Sequence, residues 1–298
     1  MKKLSLFSKL LVSLVTVPLC AAETSGPHPP PKVLQIFREE VKVGRAPAHV
    51  KVEKGFVAAF AKANWPTHYL AMTTVTGPSE AWFLTGYPSF AAWEKDREDT
   101  DKNAALTADL DRLIEKDGEL LSNGRSLVAA LREDLSAGGP VDIPKMRYFR
   151  LITFRVRPGH ESDFAESVKI VRGAYEKAKI ELPWAVYQIS GGMPGPTFMI
   201  MLPMKSLSEV DAAIARAGTI REAEGPENEK ALAKFASDGY ASVESNIFAF
   251  SPAMSYPSKE FVARDPEFWT PKPAAKAAAP AKQAEAKPKE GAKPAEKK

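Results

Sequence analysis

The feature that most constrains this chain is a pattern that occurs twice, over about residues 33–136 and again over about 148–255. In each copy an apolar run with a phenylalanine (Phe37, Phe154) is followed 29 residues later by a proline (Pro66, Pro183). That proline opens a second run of strand character, Thr67 to Thr74 or Trp184 to Ser190. A third run follows (Ala81 to Thr85, Thr197 to Leu202), then a helical stretch, then Asp117-Gly118 or Asp238-Gly239, then a fourth run. Matched landmarks stay 116 to 121 residues apart, a drift that small loop insertions absorb, so the chain reads as a tandem duplication.

Each copy resolves into strand, helix, strand, strand, helix, strand. Tyr148 to Val156 is apolar or aromatic on both alternating faces, as a strand covered on both sides requires. After the turn Arg157-Pro158-Gly159, Ser162 is available as a cap, and Phe164, Val168, Val171 and Tyr175 form one stripe of an amphipathic helix. Val52, Phe56 and Phe60 repeat the stripe in the first copy after a longer turn, Val43 to His49. Leu106, Leu110, Leu113, Ile114 and Leu121 mark a second helix, with Leu232 and Phe235 as its weaker counterpart. This is the split βαβ order of a ferredoxin-like unit. Its sheet has one face under helices and one apolar face left over, which the other copy can cover. The expected fold class is α+β, two ferredoxin-like βαββαβ repeats packed sheet to sheet as an intrachain α/β barrel.

The two ends differ from this core. Met1-Lys2-Lys3, an apolar stretch from Leu4 to Leu19 and Cys20-Ala21-Ala22 describe a secretory signal, too short for a membrane span. Export to the periplasm or medium is expected, with cleavage after Ala21 or Ala22 favoured over a lipid anchor on Cys20, which Leu19 would precede. Cys20 is the only cysteine, so the mature chain has no disulfide. Pro271 to Lys298 is built from Ala, Lys, Pro and Glu with no large apolar side chain, the composition of a disordered tail. The tail carries a net +5, and without it and the signal lysines the remainder is at −4. The basic balance therefore belongs to the ends, which removes the case for a nucleic-acid-binding domain, while the tail lysines are suited to anionic envelope polymers. The expected organisation is a signal over 1–22, a proline-rich linker over 23–32, repeats over 33–140 and 141–257, a C-terminal extension over 258–270 and the tail over 271–298.

Over about residues 33–257 the element order, the Arg157-Pro158-Gly159-His160 turn and the duplication resemble the dimeric α/β-barrel superfamily, which includes proteins like the antibiotic biosynthesis monooxygenases. The resemblance implies two sheets enclosing a small cavity, and outer edges that often join further subunits, so a monomer and a homo-oligomer both fit. Members include cofactor-free monooxygenases, haem-degrading and haem-peroxidase enzymes and small isomerases, and fold alone does not choose among them.

The residues offer no acid, base or nucleophile set. His49, in the polar entry to the first helix, and His160, at a turn, read as solvated or capping groups. No histidine pair at helical spacing and no cysteine ligand point to a metal, so none is expected. The acidic run Glu94 to Asp101 reads as a solvated helix face, and Gly191 to Pro196 as a hairpin loop. Asn64, Trp65 or Trp82, and His68 match in type the residues around haem in some members of the resembled superfamily, but not in position, so no cofactor is expected and haem stays an alternative. The cavity between the sheets is expected to be lined by strand residues, with His68, Tyr69, Trp82, Trp184, Tyr187 and Met201 as candidate ligand contacts; the same residues also suit a packed core. The expected function is binding of a small hydrophobic or aromatic molecule. An oxidoreductase and a non-catalytic envelope-associated protein are the alternatives.

Overall fold

The computed structural model describes residues 26–270; the expected signal segment and the lysine-rich tail lie outside them. The chain is an α+β protein whose eight strands close into one antiparallel barrel. Its first half contains β1 (Val33–Val41), α1 (Ala46–Lys62), β2 (Tyr69–Thr74), β3 (Glu80–Tyr87), α2 (Phe90–Lys102), α3 (Ala104–Gly118) and β4 (Leu121–Leu131). The second half runs in the same order through β5 (Tyr148–Val156), α4 (Glu161–Lys177), β6 (Ala185–Gly191), β7 (Thr197–Met204), α5 (Ser208–Glu224), α6 (Pro226–Asp238) and β8 (Tyr240–Phe250). Two helices, rather than the expected one, therefore precede the last strand of each half. The acidic run is the first of them, α2, capped by the Ser89 hydroxyl on the Ala92 N–H.

Around the barrel the strands run β1-β3-β2-β8-β5-β7-β6-β4, so β2 with β8 and β4 with β6 join the halves. Both first strands break register one residue before their ends, at Glu40/Val41 and at Arg155/Val156. Both long helices that follow are 17 residues. Both are left through a residue of positive φ, Asn64 (φ 47) and Lys179 (φ 55), the left-handed position that stops a helix. One constant spacing relates Val41 to Val156, Ala59 to Ala174 and Asn64 to Lys179. That spacing sets Phe37 against Ile152, two residues from the pairing with Phe154 read from the sequence. A slip of two keeps each side chain on its own face, which is why the alternation survived the wrong register.

An eight-stranded barrel is just wide enough for side chains to fill. Here Leu34, Ile36, Met72, Trp82, Leu127, Phe149, Leu151, Tyr187, Met199, Met201, Phe248 and Phe250 pack the inside. The Trp82 and Phe248 rings lie 4.9 Å apart, and Phe149 and Phe250 5.1 Å. Much of the space between the sheets, expected to be the ligand cavity, is thus core, and it stays open at one end, where Leu34, Leu84, Phe149, Tyr187 and Met201 border a cavity. The C-terminal extension is structured: α7 (Lys259–Ala263) and α8 (Pro266–Trp269) cross one end of the barrel. There Trp269 is buried against Phe250 and Phe261 and donates its indole N–H to the Pro144 carbonyl at 2.7 Å. Arg147 with Asp265 and Arg264 with Asp142 tie the extension down by ion pairs. Among the described residues no helix is long and apolar enough to cross a membrane.

Candidate functional site

Open space lies on both sides of the sheet. A cavity of about 440 Å³ sits on the outward face of the first half's sheet, beneath α1, α2 and α3. Its walls are aromatic and aliphatic, among them Phe37, Phe56, Phe60, Phe83 and Leu110. Its floor is polar. Glu39, on the outward face of β1, meets His49 and Glu53, one helical turn apart on α1, and Asp117 in the last turn of α3. His49 Nε2 is 3.0 Å from Glu39 Oε2, 3.6 Å from Asp117 Oδ1 and 3.9 Å from Glu53 Oε1. His49, Glu53 and Asp117 are 2%, 3% and 4% exposed, so three charge-bearing side chains have been taken out of water together.

That arrangement is costly. Burial, and then the neighbouring charges of Glu39 and Asp117, push the Glu53 carboxyl up to about 9. Burial and Glu39 push Asp117 up to about 6, against the opposing pull of His49. A carboxylate in the last turn of a helix also faces the negative end of the helix dipole. Asp117 Oδ1 and the Tyr69 hydroxyl are both buried without a hydrogen-bond partner, and both residues border the cavity. Burial, followed by the charges of Glu53 and Glu39, raises the Tyr69 phenol above its ordinary range. On the far wall Asp96 accepts hydrogen bonds from Trp65 Nε1 at 3.1 Å, Tyr87 Oη at 2.8 Å and the Thr67 hydroxyl.

The second half shows how the same fold fills these places without polar groups. At the spacing that aligns the strand bulges and helix ends, Glu39 corresponds to Phe154, His49 to Phe164 and Glu53 to Val168. Phe235 of α6 completes the group there, as Asp117 of α3 does in the first half. Phe164 is fully buried, stacked 4.2 Å from Phe198 and tilted against Phe154 at 5.4 Å. The architecture does not need the buried acids.

Several expectations are corrected here. His49 is not a solvated group at a helix entry; its ring is enclosed between α1 and the sheet. No histidine pair or cysteine marked a ligand group in the sequence, yet Glu39, His49, Glu53 and Asp117 converge from three elements. Asp96, assigned to a solvated face, turns inward. His49 and Glu53 at a spacing of four, on the flank of the Val52, Phe56 and Phe60 stripe, were the available signal.

The six candidate ligand contacts divide. His68, Tyr69, Trp184, Tyr187 and Met201 border a second cavity of about 500 Å³ at the mouth of the barrel, under residues 28–31 and the C-terminal extension. Trp82 is inside the barrel, its indole N–H given to Glu80 Oε2 at 2.8 Å beneath the Arg38 guanidinium. Trp184 also packs outward, donating to the Leu135 carbonyl at 2.9 Å. The haem-like grouping does not assemble. Trp65 turns to Asp96, Trp82 to the barrel interior, and His68 to Tyr256, 4.8 Å between rings at the mouth.

No family model matches the sequence, and no curated protein matches it. Solved structures do share its architecture. An anthrone oxidase-like protein is 14% identical over 76% of this chain and 95% of that one, with a TM-score of 0.50. A monooxygenase candidate from Fusobacterium nucleatum is 14% identical over 75% of this chain and 94% of its own (TM-score 0.49). A chlorite dismutase variant from Candidatus Nitrospira defluvii is 9% identical over 79% and 96% (TM-score 0.44). With its closed eight-stranded antiparallel barrel and helices outside, the chain has the fold of the dimeric α/β-barrel superfamily.

Proposed function

We propose that this protein binds a small, flat, largely apolar molecule carrying a polar group, in the cavity on the outward face of its first half. The observation that carries the reading is that Glu39, His49 and Glu53 stand where the second half, with the same element order, has Phe154, Phe164 and Val168. The second half is packed there, and the first has an aromatic cavity with a polar floor. Apolar walls with a few convergent polar groups are what a small-molecule site requires. The unpartnered Tyr69 hydroxyl and Asp117 Oδ1 supply the directional contacts. The sequence reading placed this ligand between the sheets, where the mouth cavity lies; the convergent polar floor favours the helix side of the first half.

Titration with the neutral naphthalene fluorophore prodan tests the reading. Wild type is expected to bind it saturably. Leu110→Trp, which fills the cavity from α3, is expected to weaken binding at least tenfold with the fold intact by circular dichroism. Equal binding by both proteins would overturn the assignment. The reading needs no haem. A Soret band in the purified protein would shift attention to the mouth cavity, where His68 lies.

The ends complete the proposal: an exported protein whose lysine-rich tail touches anionic envelope polymers. Salt-dependent recovery of the full chain in an envelope fraction, lost on deleting residues 271–298, is the expected result.

A further inference from the structure

We propose that Glu39, His49, Glu53 and Asp117 form a binding site for one divalent first-row transition cation at the floor of the first-half cavity. One ligand atom from each of the four lies within 4.8 Å of the others. The distances from His49 Nε2, 3.0, 3.6 and 3.9 Å, bracket the ligand-to-ligand spacing of roughly 3–3.5 Å that metal bonds of about 2.0–2.2 Å impose. The four groups also come from β1, α1 and α3, so the backbone holds them from three directions.

The charge balance points the same way. Three carboxyl groups converge on a single imidazole, and among the described residues no lysine or arginine pairs with Glu39, Glu53 or Asp117. A buried group of this kind is stable when paired or when it coordinates a metal. Asp117 Oδ1 is the independent sign. It belongs to a residue 4% exposed, lies 3.6 Å from His49 Nε2, and has no hydrogen-bond partner among the described residues. It is a lone pair held out of water and aimed into the group.

The donor set selects the class of ion. One imidazole with carboxylates suits manganese, iron, cobalt or zinc in the divalent state, whereas calcium and magnesium prefer oxygen alone. The ion would stand at the boundary between polar floor and aromatic walls, within reach of the polar group of a molecule in the cavity. The inference shares its cavity with the binding reading above. Metal uptake is measured with no organic ligand present, so either can fail without the other.

The full chain is stripped with chelator and titrated with cobalt(II), followed by visible absorption and calorimetry. One equivalent per chain is expected, with a d–d band of a low-symmetry nitrogen and oxygen site. Glu53→Gln and Asp117→Asn, both close to isosteric, are each expected to weaken uptake at least tenfold, and His160→Ala, on the surface, to leave it unchanged. Because His49→Ala risks misfolding, a second measurement is the thermal midpoint, expected to rise with manganese(II) in wild type and not in Asp117→Asn. Absence of saturable cobalt uptake, or uptake equal to wild type in both Glu53→Gln and Asp117→Asn, overturns the proposal.

Discussion

His49 and Glu39 meet at 3.0 Å on the outward face of the sheet, and the equivalent places in the second half are held by Phe164 and Phe154, whose rings lie 5.4 Å apart. The same backbone geometry supports a histidine–carboxyl hydrogen bond in one half and an aromatic pair in the other. The consequences of removing a group from the first half follow from that contrast.

Truncating the histidine leaves carboxylates buried with no partner. His49→Ala is therefore expected to destabilise the metal-free protein by about 3–5 kcal/mol, the cost of breaking a buried pair from one side. Glu53→Gln replaces a carboxyl that must take up a proton on folding at pH 8, without opening a hole, and is expected to be neutral or stabilising. Urea denaturation of the two variants at pH 8 checks the asymmetry, and equal losses would contradict it.

Stability should also depend on pH in an unusual sense. Glu53 has its carboxyl raised from 4.5 to about 9 in the folded chain, and Asp117 from 3.8 to about 6. A folded-state pKa above the unfolded one means that folding binds protons. The contribution is complete below the unfolded values and is lost as pH rises, between about 4 and 6 for Asp117 and between about 4.5 and 9 for Glu53. The melting temperature of chelator-treated protein is expected to fall from pH 6 to pH 9, and Glu53→Gln is expected to flatten most of that slope.

The barrel end makes a separate test. Trp269 is 2% exposed and closes the interior against Phe250 and Phe261. Trp269→Ala is expected to cost about 3–5 kcal/mol. A chain ending at Pro257 should expose the mouth and melt at lower temperature. Thermal denaturation of both reports this, and a melting temperature equal to wild type would make the extension an ornament on a self-sufficient barrel.

Much of the architecture was legible because alternation and helical stripes are direct consequences of burial. The runs around Phe37 and Phe154 fall on β1 and β5, and Val52, Phe56 and Phe60 do form a packed stripe of α1, set against Leu106, Leu110 and Leu113 of α3. The site was not legible for the same reason. A pattern search counts Glu53 and Asp117 as solvent-facing, and only the closure of α1 and α3 over β1 reveals that they are buried. Asp96 was hidden in a run of alternating charges, where one inward residue leaves no mark on composition. His68, Tyr187 and Met201 were found as neighbours, yet strand alternation could not show that Trp82 lies deeper in the barrel while they reach its mouth.

On the function proposed above, the ligand sits in the outward cavity of the first half. A crystal structure of the protein soaked with 4-bromophenol tests it most directly, because the bromine anomalous signal marks the ring's position without ambiguity. A peak is expected between Phe37, Phe56, Phe60 and Phe83, with the phenol oxygen toward Glu53, Tyr69 or Asp117. A peak confined to the barrel mouth beside His68, Tyr187 and Met201 would contradict it.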